Sequence, residues 1–445
     1  MLEEQFKGDR KMPLYIVTSV LVAGILILTG CSPYAALRHD PLGHVHGTTA
    51  PEFAEVKEAF IENFKDRNEL GAACAVYFKG EKVVDLWGGY RDMTTRAPWE
   101  ENTLVTVFST SKGISAIALA LLHARGKLNY DERVATYWPE FGCNGKQDIT
   151  VRQLLGHEAG LCALDATLTI PMVGNLDSMA VLLAAQKPHW PPHTRHGYHA
   201  VSLGWYENEL VRRLDERHRT IGQLVREDVC TPLGIRFFIG LPDSIADSQL
   251  AKLKSPTLLQ ALFSNGRMPA PLKKGLMNSK SLAFRSFFNP KVDLDIFNKR
   301  YALKPEVPSV NGTGTARAIA SIYSLLADSC CRMGLDSNTL SQIYAPSIPP
   351  DSGSVDVIFG VPMNFSLGFM KPFTGFEFGT SRAAGHPGLG GSFAFADPDN
   401  RVSYAYAPNR LDLYPWNDPR DVALRKALGR CLERIGKGRF AIIDK

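Results

Sequence analysis

Ser109-Thr110-Ser111-Lys112-Gly113 sets a hydroxyl and an amine three residues apart, directly before an apolar, alanine-rich run. On a helix that spacing puts both side chains on one face, within hydrogen-bond reach. A serine hydroxyl is a weak nucleophile at neutral pH and needs an adjacent base. A lysine enclosed in an apolar or cationic setting loses proton affinity and can be that base, so no histidine relay is required. If Ser109 sits at the helix start, free backbone N–H groups and the positive end of the dipole also favour negative charge there. S-x-x-K arises by chance roughly once or twice in a chain of this length, so the pair alone is a weak signal. Here it follows a β-like run directly and opens a long apolar helix, which strengthens it.

Two downstream clusters supply what such a site still lacks. Tyr198-His199-Ala200 follows the proline- and histidine-rich loop Pro191–Gly197 and precedes a helix. The Tyr198 phenol would pass a proton between nucleophile and leaving group if a neighbouring cation holds its pKa down. His386 lies in Gly385-His386-Pro387-Gly388-Leu389-Gly390-Gly391-Ser392, expected between strands. So many glycines suggest a backbone held close to a ligand. A backbone N–H from this stretch, with that of Ser109, would form an oxyanion hole. The expected chemistry is acyl transfer. His157, in LLGHEAGL, reads as a loop brace. His193, His196 and His199 are crowded in one loop, but their spacing fits no strong metal motif. No G-x-S-x-G elbow occurs, which leaves the α/β-hydrolase route unsupported.

The elements that must position these groups follow from hydrophobic periodicity. Phe53, Val56, Phe60 and Phe64 predict a helix with one apolar face. Ala72–Phe78 and Lys82–Trp87 read as a hairpin around Lys79-Gly80, and Leu104–Phe108 as a third extended run leading to Ser109. The region from 130 to 300 reads as mostly helical and irregular, with helices over Leu203–Leu214 and Thr257–Phe263. Residues 315–327 form another helix. Strand character returns at Asn364–Met370, Gly375–Gly379, Ser392–Ala396 and Val402–Ala407, before a last helix over Val422–Ile435. Strands at both ends with a helical middle predict an α/β (α+β) fold: one antiparallel sheet flanked by helices, with an inserted, mainly helical lobe. The division is 52–130 plus 306–445 for the sheet lobe and 131–305 for the helical lobe. A cleft between them is the expected site.

A hydrophobic content of 45% with 21% charged residues describes a globular enzyme of 445 residues, long enough for a substantial core. The net charge of +5 is small for this length, and no basic stripe interleaved with aromatics appears, which argues against nucleic acid as a partner. The eight cysteines form no C-x-x-C pair and give no disulfide framework. Met12–Cys31 is apolar and long enough for a bilayer helix, with Lys7, Arg10 and Lys11 before it. Residues 1–31 are therefore expected to be a single-pass anchor, or a lipoprotein-type signal ending at Leu28-Thr29-Gly30-Cys31, and residues 32–51 a connector. On that expectation the body is tethered to a membrane, outside the cytoplasm.

The blocks DLWGGY (85–90), PWE (98–100), FSTSKG (108–113), LLGHEAGL (154–161), YHA (198–200), NGTGTARAIA (311–320) and GHPGLGGSFAFADP (385–398) occur in order. Through them the chain, from Gly47 to Arg410, resembles the serine β-lactamase-related family, in the branch with family VIII carboxylesterases and the animal β-lactamase-like proteins. The resemblance implies the β-lactamase/transpeptidase-like fold, with Ser109 as acylated nucleophile, Lys112 as general base and Tyr198 as proton relay. It places the family's third motif, K-T-G in true β-lactamases, on His386-Pro387-Gly388, with the Leu389 N–H completing the oxyanion hole. Two departures stand out. Ala200 replaces the asparagine of Tyr-x-Asn, and His386 replaces the lysine that holds a lactam carboxylate. Both favour esters of modest size over antibiotics.

The expectation is a serine hydrolase of the carboxylesterase type acting on a small ester or amide, without metal or organic cofactor. Amidase, peptidase, β-lactamase or D,D-peptidase activity is the alternative within enzymes, and a non-catalytic scaffold of the same fold the alternative outside them. Oligomeric state is left open.

Overall fold

Segments from the two ends of the chain join side by side in one antiparallel sheet. The computed structural model describes residues 45–257, 266–328 and 332–436. In chain order the strands are β1 (Val45–Thr49), β2 (Gly71–Phe78), β3 (Glu81–Asp92), β4 (Ala97–Pro98), β5 (Val105–Thr106), β6 (Phe237–Phe238), β7 (Thr313–Gly314), β8 (Phe365–Ser366), β9 (Phe369–Met370), β10 (Ala384–Pro387), β11 (Phe393–Asp397) and β12 (Val402–Pro408). The large sheet runs β1-β3-β2-β12-β11-β10-β9-β8, with β4 beside β3, and a small sheet runs β5-β7-β6. At its centre the first hairpin meets the last strands, with Ala75 opposite Ala405. The fold is α/β, an antiparallel sheet flanked by helices with a helical insertion, the β-lactamase/transpeptidase-like architecture.

The period of two along each strand sorts residues by size. Ala73, Ala75, Ala394, Ala396, Ala405 and Ala407 face one core, with the helices Ser111–Ala124, Ser202–Leu214 and Ala316–Ala327. Cys74, Val76, Phe393, Phe395, Tyr404 and Tyr406 face the other, with the helices Ala54–Asp66 and Pro419–Arg434. Small residues on the first face let the Ala316–Ala327 helix lie so close that Ser403 Oγ on β12 donates to its Ala320 carbonyl at 2.8 Å. That helix starts where the Thr315 side chain accepts from Ala318 N–H, an N-cap that satisfies an otherwise orphaned donor.

Some expectations need correction. Val45–Thr49, inside the expected connector, is the edge strand paired with β3, Val45 opposite Gly88. Gly375–Gly379 is not a strand: Gly375 takes φ +95°, and Phe373 and Phe376 close a turn around it. His386 lies within β10 rather than between strands, opposite Ala394. The helix expected over Thr257–Phe263 falls almost wholly outside the described residues. Cys74, Cys143, Cys162, Cys230 and Cys431 are free thiols. The membrane-tethered, signal-anchored body is not carried forward. Among the described residues no helix is long and apolar enough to cross a membrane. The Met12–Cys31 segment on which the tether rested lies outside those residues.

Candidate active site

Ser109 sits on a tight turn between a strand and a helix. After β5 the chain enters a 3-10 turn, Phe108–Thr110, and only then the Ser111–Ala124 helix. Ser109 therefore precedes the α-helix rather than opening it. Phe108 takes φ +46°, a left-handed conformation that costs a bulky residue energy, and its ring packs edge-on against Phe297 at 5.2 Å. Hydrogen bonds from distant segments hold the turn. Val107 N–H donates to the Gly312 carbonyl at 2.9 Å, and Ser392 Oγ donates to the Val107 carbonyl at 2.8 Å. Ser111, the second serine of the motif, is structural: its hydroxyl donates to the Phe108 carbonyl at 2.6 Å and accepts from Gly312 N–H at 3.0 Å. Gly113 is required by packing, since a Cβ there would lie 1.8 Å from the Tyr323 hydroxyl.

Lys112 is fully buried, and its Nζ lies 3.2 Å from Ser109 Oγ. It also donates to the Ala200 carbonyl at 2.6 Å and the Ser309 carbonyl at 3.1 Å, so two fixed carbonyls aim the amine at the serine. Burial pulls its pKa down to about 7, with Glu207 opposing the shift. A lysine in that state is part neutral amine at physiological pH and able to accept a proton.

Tyr198 also reaches Ser109, hydrogen-bonded to it through the side chain. Burial raises the phenol above its usual range, with the Ser109 hydrogen bond opposing and Asp356 reinforcing. This corrects the expectation of a cation-depressed phenol. Lys112 Nζ lies over the face of the ring, 4.8 Å from its centre, and burial keeps Tyr198 a protonated donor. The backbone around it is fixed. Tyr198 N–H donates to the buried Asp356 carboxylate at 2.8 Å, Ser286 Oγ donates to the Tyr198 carbonyl at 3.0 Å, and His199 N–H donates to His157 Nδ1 at 3.0 Å. His157 therefore braces this loop. His199 accepts from Leu161 N–H on Nε2 and donates from Nδ1 to the Gly197 carbonyl, while burial pulls its pKa down to about 3. His196 bonds the Ser354 carbonyl and His193 the Glu158 carboxylate. The three crowded histidines are thus spent separately, and no group of residues that could hold a metal occurs among the described residues.

His386 is also fully buried. Its ring stacks on Tyr198 at 5.8 Å, and Nδ1 bonds the Pro387 carbonyl at 2.7 Å. Nδ1 must therefore carry the proton, which leaves Nε2 as a buried lone pair without a partner. Burial, reinforced by Lys112, pulls its pKa down to about 3, so His386 is neutral where a lysine would be charged. Gly388 brings the end of β10 against the Ser109 turn. A Cβ there would lie 2.2 Å from the Val107 carbonyl oxygen and 2.3 Å from Ser392 Oγ. Leu389 and Ser109 then line the same cavity.

That cavity, open to solvent, is walled by Ile170, Trp205, Phe287, Val292, Leu294 and Phe297 among others, and among the described residues no charged side chain lines it. The segment supplying most of this wall, 287–310, carries no periodicity that marks it in sequence. Glu207 also escaped the sequence reading. It is fully buried, neither carboxylate oxygen has a hydrogen-bond partner, and burial pushes its pKa up to about 8 against the pull of Lys112. The signal was available: Leu203, Glu207, Leu210 and Leu214 share one helical stripe, in which a carboxylate is out of place.

The Beta-lactamase family matches residues 57–428. The chain belongs to the beta-lactamase family. It is 32% identical over 394 residues to the Esterase/beta-lactamase LipL of Mycobacterium tuberculosis, covering 87% of this chain and 89% of that protein. Among solved structures it is similar to a family VIII carboxylesterase, at 35% identity and a TM-score of 0.78, covering 87% of this chain and 99% of that one. It is also similar to a penicillin-binding protein homolog from Caulobacter crescentus, at 34% identity, a TM-score of 0.75 and coverage of 87% and 99%. Within the family this chain is a serine hydrolase of the beta-lactamase/esterase fold.

Proposed function

We propose that the chain is a carboxylesterase that cleaves small to medium esters with a neutral, apolar acyl group, through an acyl-enzyme on Ser109. The observation that carries this reading is a serine hydroxyl 3.2 Å from a buried lysine amine, beside an apolar cavity lined by no charge. Neutral Lys112 takes the Ser109 proton as Oγ attacks the ester carbon. The oxyanion is held by the backbone N–H groups of Ser109 and Leu389. The Tyr198 phenol gives its proton to the departing alkoxide and recovers one from the Lys112 ammonium. Water then attacks the acyl-enzyme, passing its proton along the same groups, and Ser109 leaves with a proton as the acid is released. The sum is ester plus water to acid plus alcohol: the alcohol leaves with the proton relayed from Ser109, water supplies its replacement, and each group ends in its starting state.

Two features favour esters over β-lactams. Ala200 offers a methyl where an amide would bind the lactam side chain, and its carbonyl is taken by Lys112. His386 is neutral and offers an acceptor, so it gives a carboxylate nothing to pair with.

The test is intact-mass spectrometry after brief exposure to a fluorophosphonate probe, alongside hydrolysis of a short-chain p-nitrophenyl ester. A single adduct and turnover, both lost in Ser109→Ala, is the expected result. A folded wild type with neither would refute the reading.

A further inference from the structure

The backbone of Tyr198-His199-Ala200 belongs to no strand or helix, so its polar groups must find partners elsewhere. Side chains supply them. Tyr198 N–H donates to Asp356 at 2.8 Å, His199 N–H donates to His157 Nδ1 at 3.0 Å, and the Ala200 carbonyl accepts from Lys112 at 2.6 Å. The Tyr198 carbonyl and the Ala200 N–H both go to one atom. Ser286 Oγ donates to the first at 3.0 Å and accepts from the second at 3.2 Å. A hydroxyl has a single proton to give, and Ser286 gives it here.

Ser286 is buried on the short helix Leu282–Phe287. A serine inside a helix commonly turns its hydroxyl back to the carbonyl four residues before it, which here is that of Leu282. Ser286 instead reaches a segment 86 and 88 residues away in the chain. The same helix runs on into the cavity wall, where Phe287, Phe288, Asn289 and Pro290 line the apolar space. Phe287 also packs on the Tyr198 ring at 6.1 Å. Asn289 ties this stretch to a further loop, accepting from Leu168 N–H at 2.9 Å and donating to the Ala166 carbonyl at 2.8 Å. The tyrosine and the acyl seat thus share one anchored support.

We propose that Ser286 is a positioning residue for the proton relay: by bridging Tyr198 and Ala200 it holds the phenol where it can protonate the departing alkoxide. The inference rests on Tyr198 being the leaving-group acid. Ser286 acts through the backbone and takes no part in proton transfer. Without its hydroxyl the Tyr198 carbonyl and the Ala200 N–H lose their partner, and the phenol can drift. A misplacement of about 1 Å is enough to slow a reaction about 10²-fold.

The experiment uses the full chain and compares ethyl butyrate with p-nitrophenyl butyrate. p-Nitrophenolate departs without a proton, whereas ethoxide needs one. The quantity read is kcat/KM for the ethyl ester divided by kcat/KM for the p-nitrophenyl ester. Loss of folded enzyme, or damage to the shared butyryl seat, lowers both and cancels in the ratio. Wild type is measured beside Ser286→Ala, Ser286→Cys, Ser281→Ala and Tyr198→Phe. Ser286→Ala should lower the ratio about tenfold. Ser286→Cys fills the place with a weak donor and acceptor, so it should lower the ratio by a smaller factor. It carries the comparison if Ser286→Ala does not fold. Ser281 caps the same helix, but its bonds go to Phe284 N–H at 3.0 Å and the Gly275 carbonyl at 2.6 Å, neither in the tyrosine loop. Ser281→Ala should therefore lower Tm and leave the ratio at its wild-type value. Tyr198→Phe should lower the ratio furthest. If it does so while the folded Ser286 variants leave the ratio unchanged, the role of Ser286 is overturned and the relay stands. A ratio that falls equally in Ser281→Ala also overturns it, since helix stability would then be the cause. If Tyr198→Phe itself leaves the ratio unmoved, the relay reading fails and the role of Ser286 falls with it.

Discussion

Each face of the central sheet buries a cluster of charges, and the two are finished differently. On the face toward the terminal helices, Arg420 donates to Asp418 through Nε at 2.9 Å and through a terminal nitrogen at 2.7 Å. It also donates to Glu69 at 2.9 Å and to the carbonyls of Arg410 and Gly390, both at 3.0 Å. Tyr406 donates to the same glutamate, Arg425 donates to Asp421 at 2.8 Å, and Tyr404 reaches Asp421 at 3.0 Å. Burial works against the Arg420 charge, but Glu69, Tyr406 and Asp418 outweigh it and hold the guanidinium well above its ordinary value. On the opposite face, burial moves Lys112 and Glu207 toward neutrality, and the carboxyl is left without a single hydrogen bond. A saturated network fixes its charges. An unsaturated pair keeps them ready to change, which is what proton transfer requires. The first cluster also reaches the candidate site, because Gly390, whose carbonyl Arg420 holds, adjoins Leu389 of the proposed oxyanion hole.

The contrast can be broken from either side. Ser109→Ala should have the largest effect, lowering ester turnover by about 10⁴-fold or more with no loss of Tm, as read by p-nitrophenyl ester assay and thermal melt. Arg420→Met leaves Glu69 and Asp418 buried and unpaired, so it should cost about 3–5 kcal/mol in a urea unfolding curve. Gly388→Ala strains the join between β10 and the nucleophile turn. Its kcat should fall about 10²-fold while stability changes far less, which separates misplacement of the reacting groups from damage to the frame. The smallest effect sharpens the cavity side. From p-nitrophenyl acetate upward, kcat/KM should rise about fourfold per added methylene until the apolar space is filled, following about 0.8 kcal/mol per CH₂.

Legibility from sequence followed the range of the forces involved. Ser109 and Lys112 could be marked as candidates because a spacing of three is local, whereas Tyr198 was marked through the family's tyrosine motif rather than by its own surroundings. The hairpin and the strands near the C-terminus could be found because their two buried faces take residues of different size, and that alternation leaves a trace in residue type. The state of the Tyr198 phenol could not, because it depends on enclosure by side chains from Phe287, Phe359 and Phe365, far apart in the chain. Glu207 was passed over among the polar residues of Tyr206-Glu207-Asn208-Glu209, all of which prove buried. β1 hid in a short polar stretch, since an edge strand needs a partner's backbone more than its own pattern.

The cavity wall has an evolutionary consequence. The reacting groups come from residues 105–113, 198–200 and 384–392, whereas much of the acyl pocket comes from one contiguous stretch between 287 and 310. The ends of that stretch are tied to the reacting groups, since the Ser309 carbonyl accepts from Lys112, Phe297 packs on Phe108 and Phe287 packs on Tyr198. It is the part between, around 290–296, that can be recast without moving them. Such a separation lets a lineage exchange one substrate for another by editing a single loop, while the machinery that breaks the bond is inherited intact.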